Sequence, residues 1–283
     1  MKNIWTLARM TFREAIRRRI VLTGVILGLV FLVVFSVGFY FVYISASAEA
    51  PTAGEAVTNL MKNEFVNMIM LAGLYAVTFL SAAMGALLGA DTLSGEIISG
   101  TIQTIVSKPI RRSDVILGKW LGFAILLAGY AMLMSGGTVL IVRLIAGYTP
   151  RNILTGVTLI YLEAVLIMTI SLACSSFLSG LATGSVVFGL YGLSFIGGWV
   201  EQIGSFLKNE TAVQVGIVTS LLIPSESLWR RAAFEMQSPI SAAIGMSPFG
   251  TISVPSPLML GYAILYLVIA LMAAISTFNH RDL

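Results

Sequence analysis

Six long apolar runs organise the chain, at about 20–43, 65–90, 115–146, 153–178, 180–200 and 258–278. A helix needs roughly 20 apolar residues to cross a hydrocarbon core, and each run reaches or approaches that length. The runs are continuously apolar and do not alternate, which predicts membrane helices over membrane strands. Ahead of the first run, "MKNIWTLARMTFREAIRRRI" has a different rhythm. Trp5, Ala8, Phe12, Ile16 and Ile20 recur at three or four, while Arg9, Arg13 and Arg17 recur every four on another face. This predicts an amphipathic helix over 1–19 lying along the inner leaflet, with Trp5 and Phe12 on one side and arginines on the other. A plainer reading is a basic topology signal.

Between the second and third runs lies "GEIISGTIQTIVSKPIRRSD", from Gly95 to Asp114. Leu93, Ile97, Thr101 and Ile105 recur every four residues with Ile98 and Ile102 beside them, the pattern of a short helix with one apolar face. Asp91 or Thr92 suits its N-cap. Pro109 ends it, because proline lacks the backbone donor and disfavours helical geometry at Lys108. Ser113 and Asp114 offer a fresh cap for the third run. By pattern alone the segment is equally a handle for another protein and a helix resting on the membrane surface. After the fifth run, residues 201–257 form the longest polar-bearing stretch and read as a loop. Within it "AVQVGIVTSLLIP" (Ala212–Pro224) is too short to span, so it is re-entrant or lies on the membrane, and Ser225 suits the N-cap of a helix after it. Pairs of small residues one turn apart (Ser81, Gly85 and Gly89; Gly24 and Gly28; Gly118 and Gly122; Gly180 and Gly184) suit close helix packing.

Composition narrows the setting. The chain is 57% hydrophobic and 11% charged, whereas a soluble domain carries about 25% charged residues. A soluble surface is excluded. With the N-terminus inside, Lys2, Arg9, Arg13, Arg17, Arg18, Arg19, Lys108, Arg111, Arg112, Lys119 and Arg281 fall inside. Lys62, Arg151, Lys208, Arg230 and Arg231 fall outside, together with most acids, including Glu201 and Glu226. The bias predicts cytoplasmic termini. It also accounts for the net charge of +4, so nucleic-acid binding is not called for. The first run is longer than the 7–15 residues of a signal-peptide core, which predicts an uncleaved span despite the "ASA" at Ala46–Ala48.

Candidate chemistry is sparse. Cys174 is the only cysteine and reads as a packing residue. His280 is the only histidine, and no cluster of metal-binding residues accompanies it, so no metal site is expected. The methionines read as apolar filler. Glu163 stands alone within the fourth run, and an acid at membrane depth is costly. It can meet substrate, carry a proton, or pair with Arg143 as structure. Ser171 and Ser175 follow on the same run and either line a path or bond their own helix. An embedded serine nucleophile would need a base, and His280 lies beyond the sixth run, so an enzyme is not expected.

"SGEIISGTIQTIVSKPIRRSDVILGKWLG" closely resembles the cytoplasmic segment of ABC-2 type transporter permeases, in Glu96, the Gly100–Thr101 pair, Pro109, Arg112, Gly118 and Lys119. The ending "FNHRDL" is similar to the family's, with Phe278, Arg281 and Asp282. Within the family the chain looks similar to the membrane subunit of the copper-delivery transporter of nitrous oxide reductase maturation, which fixes no substrate. The resemblance implies an all-α membrane protein with a single domain over 1–283. It has six transmembrane helices, an N-terminal interfacial helix, a cytoplasmic coupling segment at 91–113 and a long outer loop. It implies a prokaryotic plasma-membrane permease, more readily an exporter, in which two permeases, identical or not, each dock a separate ATPase subunit. ATP and Mg would bind that ATPase, since this chain lacks the GxxxxGK[ST] phosphate loop and is expected to bind no cofactor. Glu96, Gly100, Thr101, Pro109, Arg111 and Arg112 become the ATPase-coupling candidates. Two other readings stay open: a subunit whose partner's ATP hydrolysis remodels another protein, and an ATP-independent channel or carrier.

Overall fold

A computed structural model describes residues 2–48, 55–90, 92–93, 95, 111–238, 240, 249 and 254–280. Among the described residues there are nine helices and no strand. In chain order they are α1 (Lys2–Arg17), α2 (Arg19–Ala48), α3 (Glu55–Ala90), α4 (Arg112–Ala146), α5 (Ile153–Ser175), α6 (Gly180–Phe206), α7 (Glu210–Leu222), α8 (Ser225–Met236) and α9 (Pro257–Asn279). Six of them, α2 to α6 and α9, are long and apolar enough to cross a membrane, as the apolar runs predict. α2 is rich in Val, Ile and Phe, residues that favour strands in water. In hydrocarbon only intra-segment hydrogen bonding satisfies the backbone of a lone span, so the helix wins.

α3 and α5 form the centre. Met70, Leu71, Leu74 and Val77 of α3 are fully buried, with Ile160, Ala164 and Ile167 of α5 in the same core. The two backbones come close along Gly85 and Gly89. A Cβ at Gly85 would stand 2.5 Å from the Ala164 carbonyl oxygen, and one at Gly89 2.6 Å from Ser171 Cβ. The small-residue spacing read from the sequence does what it suggests here. It does not at Gly184, where a Cβ would meet nothing within 4 Å. α2 and α9 sit outermost, with only 11% of the most apolar stretch of each buried inside the protein. Their apolar surfaces suit contact with lipid.

α1 departs from the expected face. Ala8 and Ala15 are buried, whereas Trp5 and Ile16 are exposed. The packed side is small. Leu7, Ala8 and Thr11 lie against Gly118 and Gly122 of α4, where a Cβ at Gly122 would approach the Ala8 carbonyl oxygen to 2.7 Å. Phe12 is half-buried and Arg9, Arg13 and Arg17 are exposed. Close backbone approach therefore chooses the face against α4, and the aromatic Trp5 is left outward. The chain breaks at Arg18, whose guanidinium pairs with Glu14 at 2.7 Å.

Two expected caps also differ. α4 starts at Arg112 with Arg111 as its N-cap and no side-chain bond, so Ser113 and Asp114 lie inside its first turn. Thr92 hydroxyl donates back to the Leu88 carbonyl and continues the register of α3. Ser225 is the first residue of α8, after Pro224 at the N-cap. Its hydroxyl donates to Ser194 Oγ of α6 at 2.9 Å. α4 ends at Gly147, which takes φ 68° and returns its N–H to the Arg143 carbonyl, the left-handed stop that glycine permits.

The fifth span is longer than its apolar run, and the stretch expected as a loop folds back. α6 continues to Phe206, and after a turn at Lys208 (φ 53°) α7 runs back along it. Gly204 faces Ala212, Gly216 faces Glu201 and Gly197 faces Thr219. The apolar piece of α7 thus folds back on α6. At Ile223–Pro224 the chain bends by 107°, and α8 crosses toward α5 and α3. Gly156 of α5 receives Met236, while Asn67 of α3 donates to the Met236 carbonyl at 3.1 Å. Asn67 also donates to Tyr148 Oη at 2.9 Å. Burial pushes the Tyr148 phenol above its ordinary value against the opposing effect of that bond, so it stays a neutral hydroxyl there.

Candidate functional site

Beside the central pair, α2 and α6 both pack on α3 and leave a groove between them, open along one side. Its volume is about 720 Å³. α3 makes the floor with Ala72, Tyr75, Ala76 and Phe79; Leu27, Val30 and Phe31 of α2 make one wall; Phe188, Tyr191, Gly192 and Phe195 of α6 make the other. Phe249 joins from the segment before α9. The wall is almost wholly carbon, so it receives apolar or aromatic surface. A second cavity of about 630 Å³, lined by Ile20, Leu87, Leu181 and Gly184, shares Phe188 with it. The second lies at the start of α6, beside Gly180 and Gly184.

Behind the groove sits a buried polar cluster. Tyr75 is its hinge. The ring stacks with Phe195 at 5.8 Å and packs on Trp229 at 4.9 Å. Its hydroxyl accepts from Trp199 Nε1 at 3.0 Å and donates to Glu226 Oε1 at 3.2 Å. Glu226 stands in α8 against Gly198 of α6, where any side chain would collide with it. One turn along α8, Arg230 pairs with Glu201 of α6 at 2.5 Å and donates to Ser220 Oγ at 3.1 Å. Glu163 of α5 is buried as well. Its second oxygen, Oε2, is buried and has no hydrogen-bond partner. The three carboxyl groups and the guanidinium are all at most 6% exposed.

Glu163 is thus where the lone-acid argument looks for chemistry, but Arg143 is exposed and does not pair with it. Glu201, Glu226 and Arg230, read in sequence as charges of a polar stretch, are buried among α6, α7 and α8. Ser171 donates to the Ala86 carbonyl at 2.6 Å across the α3–α5 seam, and Ser175 bonds the Leu172 carbonyl of its own helix. Neither lines the groove. Cys174 is half-buried and unpaired. His280 bonds the Ser276 carbonyl through Nδ1 at 2.8 Å. No group of three metal-ligating side chains occurs among the described residues. Tyr75, Tyr191 and Trp199 escaped the sequence reading, as aromatic residues in apolar runs look like packing. One signal was available for α8: a short apolar piece that cannot span must return, carrying the next charged residues back with it.

The coupling candidates divide. Glu96, Gly100, Thr101 and Pro109 lie outside the described residues. Arg111 is exposed and Arg112 is half-buried, donating to the Asn279 carbonyl at 3.2 Å. The segment is framed by a small apolar cluster. Leu93 before it and Ile116 after it are fully buried with Leu172 of α5 and Ala274 and Phe278 of α9. Both flanks of the segment are therefore packed on the ends of two spans.

Residues 5–283 match the family described as ABC-2 family transporter protein. No curated protein matches the chain. Since the family match spans nearly the whole sequence, the chain belongs to the ABC-2 transporter family. The match is to the family and does not reach the copper-maturation subgroup.

Proposed function

We propose that this ABC-2 family chain is the transmembrane subunit of an exporter whose energy comes from a separate ATPase subunit. The observation that carries the reading is the aromatic groove between α2 and α6, within a chain whose family match covers residues 5–283. Its substrate has extensive apolar surface, since the lining offers little else to bind. A second permease, identical or not, closes the open side of the groove, and lipid covers α2 and α9. The ATPase carries ATP and Mg and grips the segment from Glu96 to Arg112, with Glu96 and Arg111 in charged contacts and Gly100 allowing close approach. Its stroke moves α3 and α4, which enter and leave that segment. Because α3 runs from the groove floor to that segment, the movement reaches the groove along the helix. Termini in the cytoplasm put the grip on the side where ATP is.

The test is purification from native membrane in mild detergent, with ATPase activity assayed on the eluate. The expected result is a co-purifying ATPase that is lost when residues 95–110 are scrambled in a chain that still inserts. An intact chain with no associated ATP hydrolysis would instead favour a channel or carrier.

A further inference from the structure

The groove and the cluster behind it differ in character, and together they select a ligand by charge. The wall is aromatic: Phe31, Phe79, Phe195 and Phe249 line it with the rings of Tyr75 and Tyr191. Ring faces attract cations. Behind the wall, Tyr75 of α3 donates to Glu226 of α8, Arg230 of α8 pairs with Glu201 of α6, and Glu163 of α5 is buried, with the Tyr191 phenol of α6 as a further titratable group on the wall. From Met236 to Asn279 the sequence holds no Asp, Glu, Lys or Arg, so the rest of that stretch brings no counter-ion. Three carboxyl groups against one guanidinium leave two whose negative charge the medium does not tolerate, so they hold protons until a cation replaces one. Glu163 Oε2 is buried there with no hydrogen-bond partner.

We propose that the groove takes a lipophilic organic cation, which neutralises the cluster in exchange for a proton. This rests on reading the groove as the substrate path. The charge balance is one positive charge in and one proton out, from Glu163 or Glu226 to water. A delocalised cation suits the wall because it can shed its water against rings. A small inorganic cation would lose its hydration shell with too few oxygens in return.

Tetraphenylphosphonium and tetraphenylborate share a shape and differ in sign. Calorimetric titration of the purified full chain in detergent should give tighter binding of the phosphonium. That binding should strengthen from pH 6 to pH 8, with proton release read from buffers of different ionisation heat. Glu163→Gln and Glu226→Gln should each weaken phosphonium binding about tenfold and leave the borate unchanged, and the double variant should lose the pH dependence. Gly192→Trp fills the groove and should abolish binding of both ions. Equal affinities, unmoved by the glutamine variants but lost in Gly192→Trp, would overturn the cation and leave the groove. Phosphonium binding unmoved by Gly192→Trp would remove the groove itself as the path. If a glutamine variant fails to fold, the wild-type charge preference and its pH dependence decide alone.

Discussion

Arg230 and Glu201 hold each other inside the bundle, and neither has water to fall back on. Breaking a buried pair by removing one partner strands the other charge at a cost of about 3–5 kcal/mol, whereas replacing both by apolar residues is often neutral. Arg230→Met should therefore lower the unfolding temperature in detergent markedly, and adding Glu201→Leu should restore most of the loss. A double variant as unstable as the single one would contradict the pairing. The sequence exposes Glu163 because a lone acid stands out in an apolar run. It hides Tyr75 and Tyr191, since a phenol that bonds a buried acid and one that only packs have the same letter and the same setting. Glu201 and Arg230 were legible as charges but not as partners, because that depends on the chain folding back at Lys208 and bending at Pro224.

The positions of the six spans were legible because the thickness of hydrocarbon demands long apolar runs, but their ends were not, since α3 begins at Glu55 and α6 continues to Phe206. Which faces meet was legible only where glycine marks a close approach. At Gly85 and Gly89 the seam leaves no room for a side chain, and overpacking a tight core costs about 1–3 kcal/mol. Gly85→Leu should destabilise the fold by that order in thermal melts, while Gly184→Leu should be tolerated, since nothing lies within 4 Å there. α1 makes the same point in reverse. Periodicity set Trp5 and Phe12 on one face, but Gly118 and Gly122 admit the backbone beside Ala8 instead. Gly122→Ile should release α1 from α4 and make it more accessible to protease, with the six spans still inserted. For the coupling segment, Glu96→Ala is the cleaner probe. Arg112 also caps the end of α9 through Asn279, so Arg112→Ala should cost both coupling and some stability, and Glu96→Ala coupling alone. The two separate in ATP turnover against unfolding temperature.

For the molecule as a whole, the proposed function puts a grip in the segment after α3 and a groove beside α3, with that helix joining them. α3 supplies both the groove floor and the approach to the grip, so a push on the segment after Leu93 cannot leave Tyr75 and Ala76 unmoved if the helix stays rigid. Such a connection was not legible in the sequence, which places the segment and the apolar runs but not which runs share a wall. Its direct test uses the chain's single cysteine to advantage. In a Cys174→Ser background, Gly192→Cys puts one thiol in the groove. In the complex with its ATPase, the rate of labelling by a membrane-permeant maleimide is measured without nucleotide, with ATP and Mg, and with ADP. The account predicts a severalfold change in that rate on ATP binding, abolished when residues 95–110 are scrambled. The same rate in every nucleotide state, in a complex that hydrolyses ATP, would contradict the claim that the ATPase works on this groove.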